Sequence, residues 1–213
     1  MPILSINNLV YEAQCNRIID NISFDVYEGE FLSIVGPSGS GKSTILKILS
    51  TLISKTSGNI SYNKKALEEY NPSDLRKEIS YCLQSPVLFG KTVMDNLSFP
   101  YEIRNEKFDT EKAVKFLENV GLSEDYLYKS INTLSGGEKQ RVAVIRNILF
   151  QPKVLLLDEI TSGLDTGNRD IIWNWLKEIK NNTNMTIIMI SHNEKELELA
   201  DRIIKIKDGK IVD

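Results

Sequence analysis

Residues 36–43 read Gly36-Pro37-Ser38-Gly39-Ser40-Gly41-Lys42-Ser43, a G-x-x-x-x-G-K-[ST] octapeptide, and its flanks leave few folds open to this chain. The run Phe31-Leu32-Ser33-Ile34-Val35 before it has the composition of a strand buried on both faces. After it, Ile45, Leu46, Ile48 and Leu49 fall at helical spacing and predict a helix over 43–50. A strand that turns through glycines into a helix can hold phosphate. The glycines let successive backbone N–H groups curl toward anionic oxygens, and the helix start adds the positive end of its dipole. Gly36, Pro37, Ser38, Gly39, Ser40, Gly41, Lys42, Ser43 and Thr44 are therefore candidate nucleotide-binding residues. Lys42 is placed to reach the β- and γ-phosphates, and the Ser43 hydroxyl to coordinate Mg²⁺.

A second motif suits the same chemistry. Val154, Leu155, Leu156 and Leu157 form an apolar run that ends in Asp158 and Glu159. At the C-terminal edge of a parallel sheet such an end faces the ligand crevice. Asp158 is then a candidate to hold Mg²⁺ through water, and Glu159 a candidate general base for an attacking water.

The remaining patterning predicts an α/β chain. Leu4 and Ile6, and then Ile22, Phe24 and Val26, alternate with polar residues as half-buried strands do, and Glu28-Gly29-Glu30 marks a turn. Residues 86–133 read as helical. Asp109 is a candidate N-cap, Gly121 a stop, and Ala113, Val114, Leu117 and Val120 form an apolar face. Helices are expected over 137–150 and 168–180, the second carrying Ile171, Ile172, Trp175, Leu176 and Ile179 on one side. A strand is expected over 186–190, and Asp208-Gly209 reads as a hairpin turn. Strand–helix alternation argues for a parallel sheet.

The chain has 213 residues, 41% hydrophobic and 26% charged, which suits one soluble globular domain spanning 1–213. A net charge of −3 argues against broad binding of nucleic acid, because there is no basic footprint. Cys15 and Cys82 have no metal-ligand spacing. They read as two buried thiols in a reducing compartment. The opening residues lack the basic and apolar regions of a leader, and the apolar runs are too short to span a bilayer. Any membrane part is expected from another chain.

Leu134-Ser135-Gly136-Gly137-Glu138, followed by Lys139-Gln140-Arg141, resembles the signature sequence of ABC ATPases, and it precedes the acidic strand as it does in that family. Other family motifs follow in order. Tyr11 resembles the aromatic that stacks on adenine, Gln84 the Q-loop glutamine, Ser162-Gly163-Leu164-Asp165 the D-loop, and His192 the H-loop switch. The resemblance covers essentially the whole chain. It implies a P-loop NTPase core of α/β class, with an antiparallel β subdomain and a helical signature subdomain over approximately 86–150. It implies ATP and Mg²⁺ as ligands, with Ser135, Gly136, Gly137 and Asp165 joining the nucleotide site across an ATP-dependent homodimer. Lys42, Gln84, Glu159 and His192 are the implied catalytic set, and Ser43, Gln84 and Asp158 the implied metal set. It also implies an integral membrane permease as partner and a place on the cytoplasmic face of the cell membrane. Ile160 departs from the family, where proline is usual, without removing a reacting group.

A finer resemblance surrounds Gln84. Residues 79–86, Leu88-Phe89-Gly90, Asp95-Asn96-Leu97 and Phe99-Pro100 are similar to ATP-binding subunits of bacterial iron exporters, as is the run 155–162 with its Ile160. This implies export of iron or another metal. Two alternatives stay open: a lipoprotein-release or cell-division type of ABC complex, and a soluble ABC ATPase acting on nucleic acid.

Overall fold

The computed structural model describes every residue except His192 and Asp213, and Glu194 along its backbone only. In chain order the elements are β1 (Pro2–Ala13), β2 (Asn16–Tyr27), β3 (Phe31–Val35), α1 (Lys42–Leu49), β4 (Ser57–Tyr62), β5 (Lys65–Ala66), α2 (Pro72–Glu78), β6 (Ile79–Cys82), α3 (Val93–Glu102), α4 (Thr110–Asn119), α5 (Gly136–Ile148), β7 (Val154–Asp158), α6 (Thr166–Asn182), β8 (Thr186–Ile190), α7 (Glu194–Leu197), β9 (Arg202–Lys207) and β10 (Lys210–Val212). The chain divides into two compact units.

The first unit comprises Met1–Tyr81, Lys153–Glu159 and Thr183–Asp213. Its strands form two sheets, one ordered β2-β1-β4-β5 and one ordered β10-β9-β3-β8-β7-β6. The early alternating strands do not join the parallel sheet. They pair with each other, from Pro2↔Tyr27 to Ala13↔Asn16, and β4 adds antiparallel to β1. In the other sheet β3 lies parallel to both β8 and β9, and β7 lies parallel to β8. Continuous apolar runs suit β3, β7 and β8 because both faces are covered: all five residues of β7 and of β8 are buried. Ile45, Leu46 and Leu49 of α1 pack into the same core as Leu32, Ile34, Leu156 and Ile188.

Local signals explain the ends of several elements. Asp208 and Gly209 take φ of 50° and 74°, the left-handed pair that a tight hairpin between β9 and β10 needs. Gln14 and Cys15 do the same between β1 and β2, with φ of 50° and 63°. Cys15 is consequently exposed at a turn and corrects the expectation of two buried thiols; Cys82 is buried. The helix α2 lies outside the helices expected from the sequence, although its start is marked. Asn71 Oδ1 accepts from the Ser73 N–H at 2.9 Å, and Pro72 opens the first turn.

The second unit comprises Cys82–Pro152 and Ile160–Asn182. The approximate span 86–150 thus lies within it, and a separate segment containing α6 completes it. Residues 86–133 are not uniformly helical. Pro86 and Gly90 interrupt the start, and α3 begins only at Val93, under a capping box between Thr92 and Asp95. The expected cap at Asp109 forms, its carboxylate accepting from the Lys112 N–H at 2.9 Å, and Gly121 follows α4 with φ 69°. Trp175 meets Phe116 edge-on at 5.6 Å between centroids. Trp173 is also buried, which widens the apolar side expected for α6. Among the described residues no helix is long and apolar enough to cross a membrane.

Candidate functional site

In the first unit the loop between β3 and α1 is shaped by its glycines. Gly36 has φ 149°, and a Cβ there would fall on the Ile206 carbonyl of the neighbouring β9. Gly41 has φ 100°, and a Cβ would stand 2.5 Å from Ile19 Cδ1 of β2. No residue with a side chain fits either place, so strands on both sides dictate the curl of the loop. Pro37, Ser38 and Gly39 are exposed at its tip, while Ser40 is buried with an unpartnered hydroxyl. Lys42 is buried, and its Nζ donates to the carbonyls of Gly36 and Pro37 at 2.9 Å each. Burial pushes its pKa down, while the charges of Glu159 and Asp158 pull it back up. Thr44, half-buried, lies one residue further along α1 than Ser43.

The Ser43 hydroxyl donates to Asp158 Oδ1 at 2.8 Å. The other oxygen, Oδ2, accepts from the Tyr81 hydroxyl at 2.6 Å. Asp158 is only 3% exposed, so these partners offset the cost of burying a carboxylate. In the sequence Tyr81 stands out only within the stretch 79–86 that resembles the iron-exporter subunits. Its available signal was a polar aromatic in a short strand that is otherwise largely apolar. Glu159 follows at the end of β7 with φ 47°, unusual for a residue with a side chain, and its N–H donates to the Ile190 carbonyl at 3.2 Å. Tyr11 is half-buried on β1 opposite Ile19, the residue that packs on Gly41. His192 lies outside the described residues; β8 ends two residues before it, at Ile190.

In the second unit Gln84 is exposed just beyond β6. Ser135 is the N-cap of α5. Its Oγ accepts from the Glu138 N–H at 3.3 Å, and Glu138 Oε2 accepts from the Ser135 N–H at 2.7 Å. The other oxygen of Glu138 accepts from the Tyr126 hydroxyl at 2.5 Å. That hydroxyl first, and the Ser135 N–H second, hold the Glu138 carboxyl below its ordinary pKa. Gly136 is exposed with open space around it, and Gly137 is buried. This helix start therefore presents backbone N–H groups on a capped, ordered turn. Asp165, exposed ahead of α6, accepts from the Asn168 N–H at 3.0 Å.

The family model for ABC transporters matches residues 19–162, about two-thirds of the chain. The chain belongs to the ABC transporter family. It is an ABC-type ATPase, the ATP-hydrolysing subunit of a transporter. It is 44% identical to the probable iron export ATP-binding protein FetA of Escherichia coli over 97% of this chain and 92% of that protein. It is 38% identical to the energy-coupling factor transporter ATP-binding protein EcfA1 of Oenococcus oeni, over 99% of this chain and 78% of that one. A solved dimeric ATP-binding cassette in a post-hydrolysis state, bound to ADP and Pi, superposes with a TM-score of 0.89 at 28% identity, covering 99% and 97% of the two chains. A bacterial Atm1-family ABC exporter with ATP bound gives 0.89 at 26% identity, with all of this chain matching 38% of that one.

For the ABC ATPase, the Ser43–Asp158 pair tests whether the site fits Mg²⁺. Both contribute oxygen only, as a hard cation requires, and they already lie within hydrogen-bond distance beside the phosphate loop. Two protein oxygens are too few for an octahedral ion. The remaining ligands would be phosphate oxygens and water, the usual arrangement for Mg²⁺ at a nucleotide. The residues fit.

Proposed function

We propose that two copies of this ABC ATPase close around two molecules of MgATP. The phosphate loop of each copy is covered by Ser135, Gly136 and Gly137 of the other, and opening after hydrolysis drives an integral membrane permease at the cytoplasmic face. The observation that carries the chemistry is the group at the end of β7. Asp158 is bonded to Ser43 of α1, Lys42 is buried at the start of the same helix, and Glu159 is the next residue after Asp158. Lys42 Nζ now donates to two loop carbonyls and would turn those donors to the β- and γ-phosphates. Ser43 and Asp158 would hold Mg²⁺, joined by Gln84 as the family resemblance implies. Bound there, the ion would supply positive charge that offsets the negative charge of the phosphates. Glu159 would accept a proton from the water attacking in line with the leaving oxygen. His192 would steady the γ-phosphate, Tyr11 would stack on adenine, and Asp165 would couple the two sites across the dimer.

The permease reading draws support from the second unit. Leu83, Val87, Phe89, Phe99 and Ile103 are all exposed there, and Phe89 meets Phe99 edge-on at 5.0 Å. Exposed aromatics of this kind suit a protein partner. The likeness to FetA supports iron or another metal as the exported cargo, with the permease recognising it.

Substitution Glu159→Gln is expected to slow phosphate release roughly 10²- to 10⁴-fold while ATP still binds; turnover at the unsubstituted rate would remove Glu159 from the base role. In iron-loaded cells the same variant should raise retained iron, read by mass spectrometry, with other metals unchanged. Equal iron in both strains would redirect the cargo to another substrate, to be sought through the permease that co-purifies.

A further inference from the structure

Asn168, in the first turn of α6, bonds two segments that the proposed function uses separately. Its side-chain carbonyl accepts from Arg141 Nη1 of α5, and its side-chain nitrogen donates to Asp165 Oδ2. Its backbone N–H also donates to Asp165, at Oδ1. Chemistry sets the orientation of the amide. A guanidinium can only donate and an ionised carboxylate can only accept, so the carbonyl must face Arg141 and the nitrogen must face Asp165. The Asn168 bonds, backbone first, hold the Asp165 carboxyl below its ordinary pKa, which keeps it an acceptor. The same side chain limits Gly137: a Cβ there would stand 2.8 Å from Asn168 Cγ. Gly137 and Arg141 are both buried and lie one turn apart on α5. One side chain therefore touches the signature turn, the helix behind it, and the carboxylate of Asp165.

We propose that Asn168 is a positioning residue that joins Asp165 to the signature start of α5, so that a partner copy meets both as one preorganised surface. This rests on the dimer reading above. Free, the two segments would each lose conformational freedom when the dimer forms; held by Asn168, most of that loss precedes association. Asparagine suits the position because it offers a donor and an acceptor on one short side chain. Aspartate has nearly the same shape but would face Asp165 with a second carboxylate.

The test uses the full chain in the Glu159→Gln background. Self-association in MgATP is followed by analytical ultracentrifugation. ATP affinity is read with a fluorescent ATP analogue at protein concentrations too low for dimers. Asn168→Asp is expected to weaken ATP-dependent association about tenfold, as loss of the charge-assisted hydrogen bond to Asp165 would. Monomer ATP affinity should stay where it is, and the chain should remain folded at the assay temperature. Asn168→Ala should act in the same direction, and in an Asp165→Ala background its effect should largely vanish. A Glu159→Gln chain that stays monomeric in MgATP with Asn168 intact overturns the dimer reading, and this inference with it. If that chain dimerises and Asn168→Asp dimerises equally well, the inference alone is overturned. Strict additivity with Asp165→Ala overturns it too. So does a lowered monomer ATP affinity, since Asn168 would then serve the nucleotide pocket.

Discussion

Asp158 shows how a single buried carboxylate is held ready. Each of its oxygens takes one short hydrogen bond, from Ser43 on α1 and from Tyr81 on β6, so its plane is set from two sides. Ser43 would also bind the cation, whereas Tyr81 would act only through the carboxylate. Groups that orient a metal ligand commonly matter as much as the ligand's own identity. Tyr81→Phe removes a hydroxyl and keeps the ring, so the strand should pack as before. It is expected to raise the Mg²⁺ concentration needed for tight nucleotide binding roughly 10-fold. Nucleotide affinity measured without Mg²⁺ should not change. An unaltered Mg²⁺ titration would show that Ser43 alone orients Asp158.

The signature helix α5 makes its case as an element. Its capping box satisfies donors at the helix start, and Tyr126 adds a bond that keeps Glu138 ionised. The linkage sign follows from the lowered pKa of Glu138. A carboxyl depressed in the folded state stabilises the protein above its unfolded pKa, and that contribution is lost as pH falls through the folded value. Glu138→Gln keeps the capping geometry and removes the charge, so it should cost about 0.5 kcal/mol at neutral pH, the ordinary worth of a carboxylate at a helix start, and close to nothing in acid. Urea denaturation at the two pH values checks this; an equal loss at both would mean the charge has no part in the cap. Most of such an element is legible in sequence. Ser135 followed three residues later by Glu138 is a helix start, and the start at Gly136 lies one residue from the expected one. The stretch 86–92 departs from the helix expected over 86–133 because Pro86 and Gly90 break it. Gly90 has φ 73°, a left-handed value outside the helical range, so the chain turns there before α3 begins.

At the scale of the whole molecule, the exposed aromatics of the second unit carry a prediction that catalysis does not. Substituting Phe89→Ser together with Phe99→Ser removes two rings that are each 40% exposed and meet edge-on, so folding should lose about 1–2 kcal/mol per ring, which a melting curve checks. The isolated ABC ATPase should hydrolyse ATP at an unchanged rate. Co-purification with its permease should fall sharply, as judged from detergent-solubilised membranes. Retention of the permease by the double variant would place docking elsewhere. The sequence alone determined the features that depend on neighbours along the chain: the phosphate loop, the strand before it and the helix after it, the helix caps, and the signature at the start of α5. These are short-range, because turn geometry, capping and alternation are settled within a few residues. Only the tertiary structure decided the pairings across long separations. Ser43 meets Asp158 over 115 positions, Tyr81 meets Asp158 over 77, and Arg141 meets Asn168 over 27. The two bonds to Asp158 follow from which strands and helix end side by side, and the third from how α5 and α6 pack. Neither arrangement is written in local composition, because it is set by burial of the whole core.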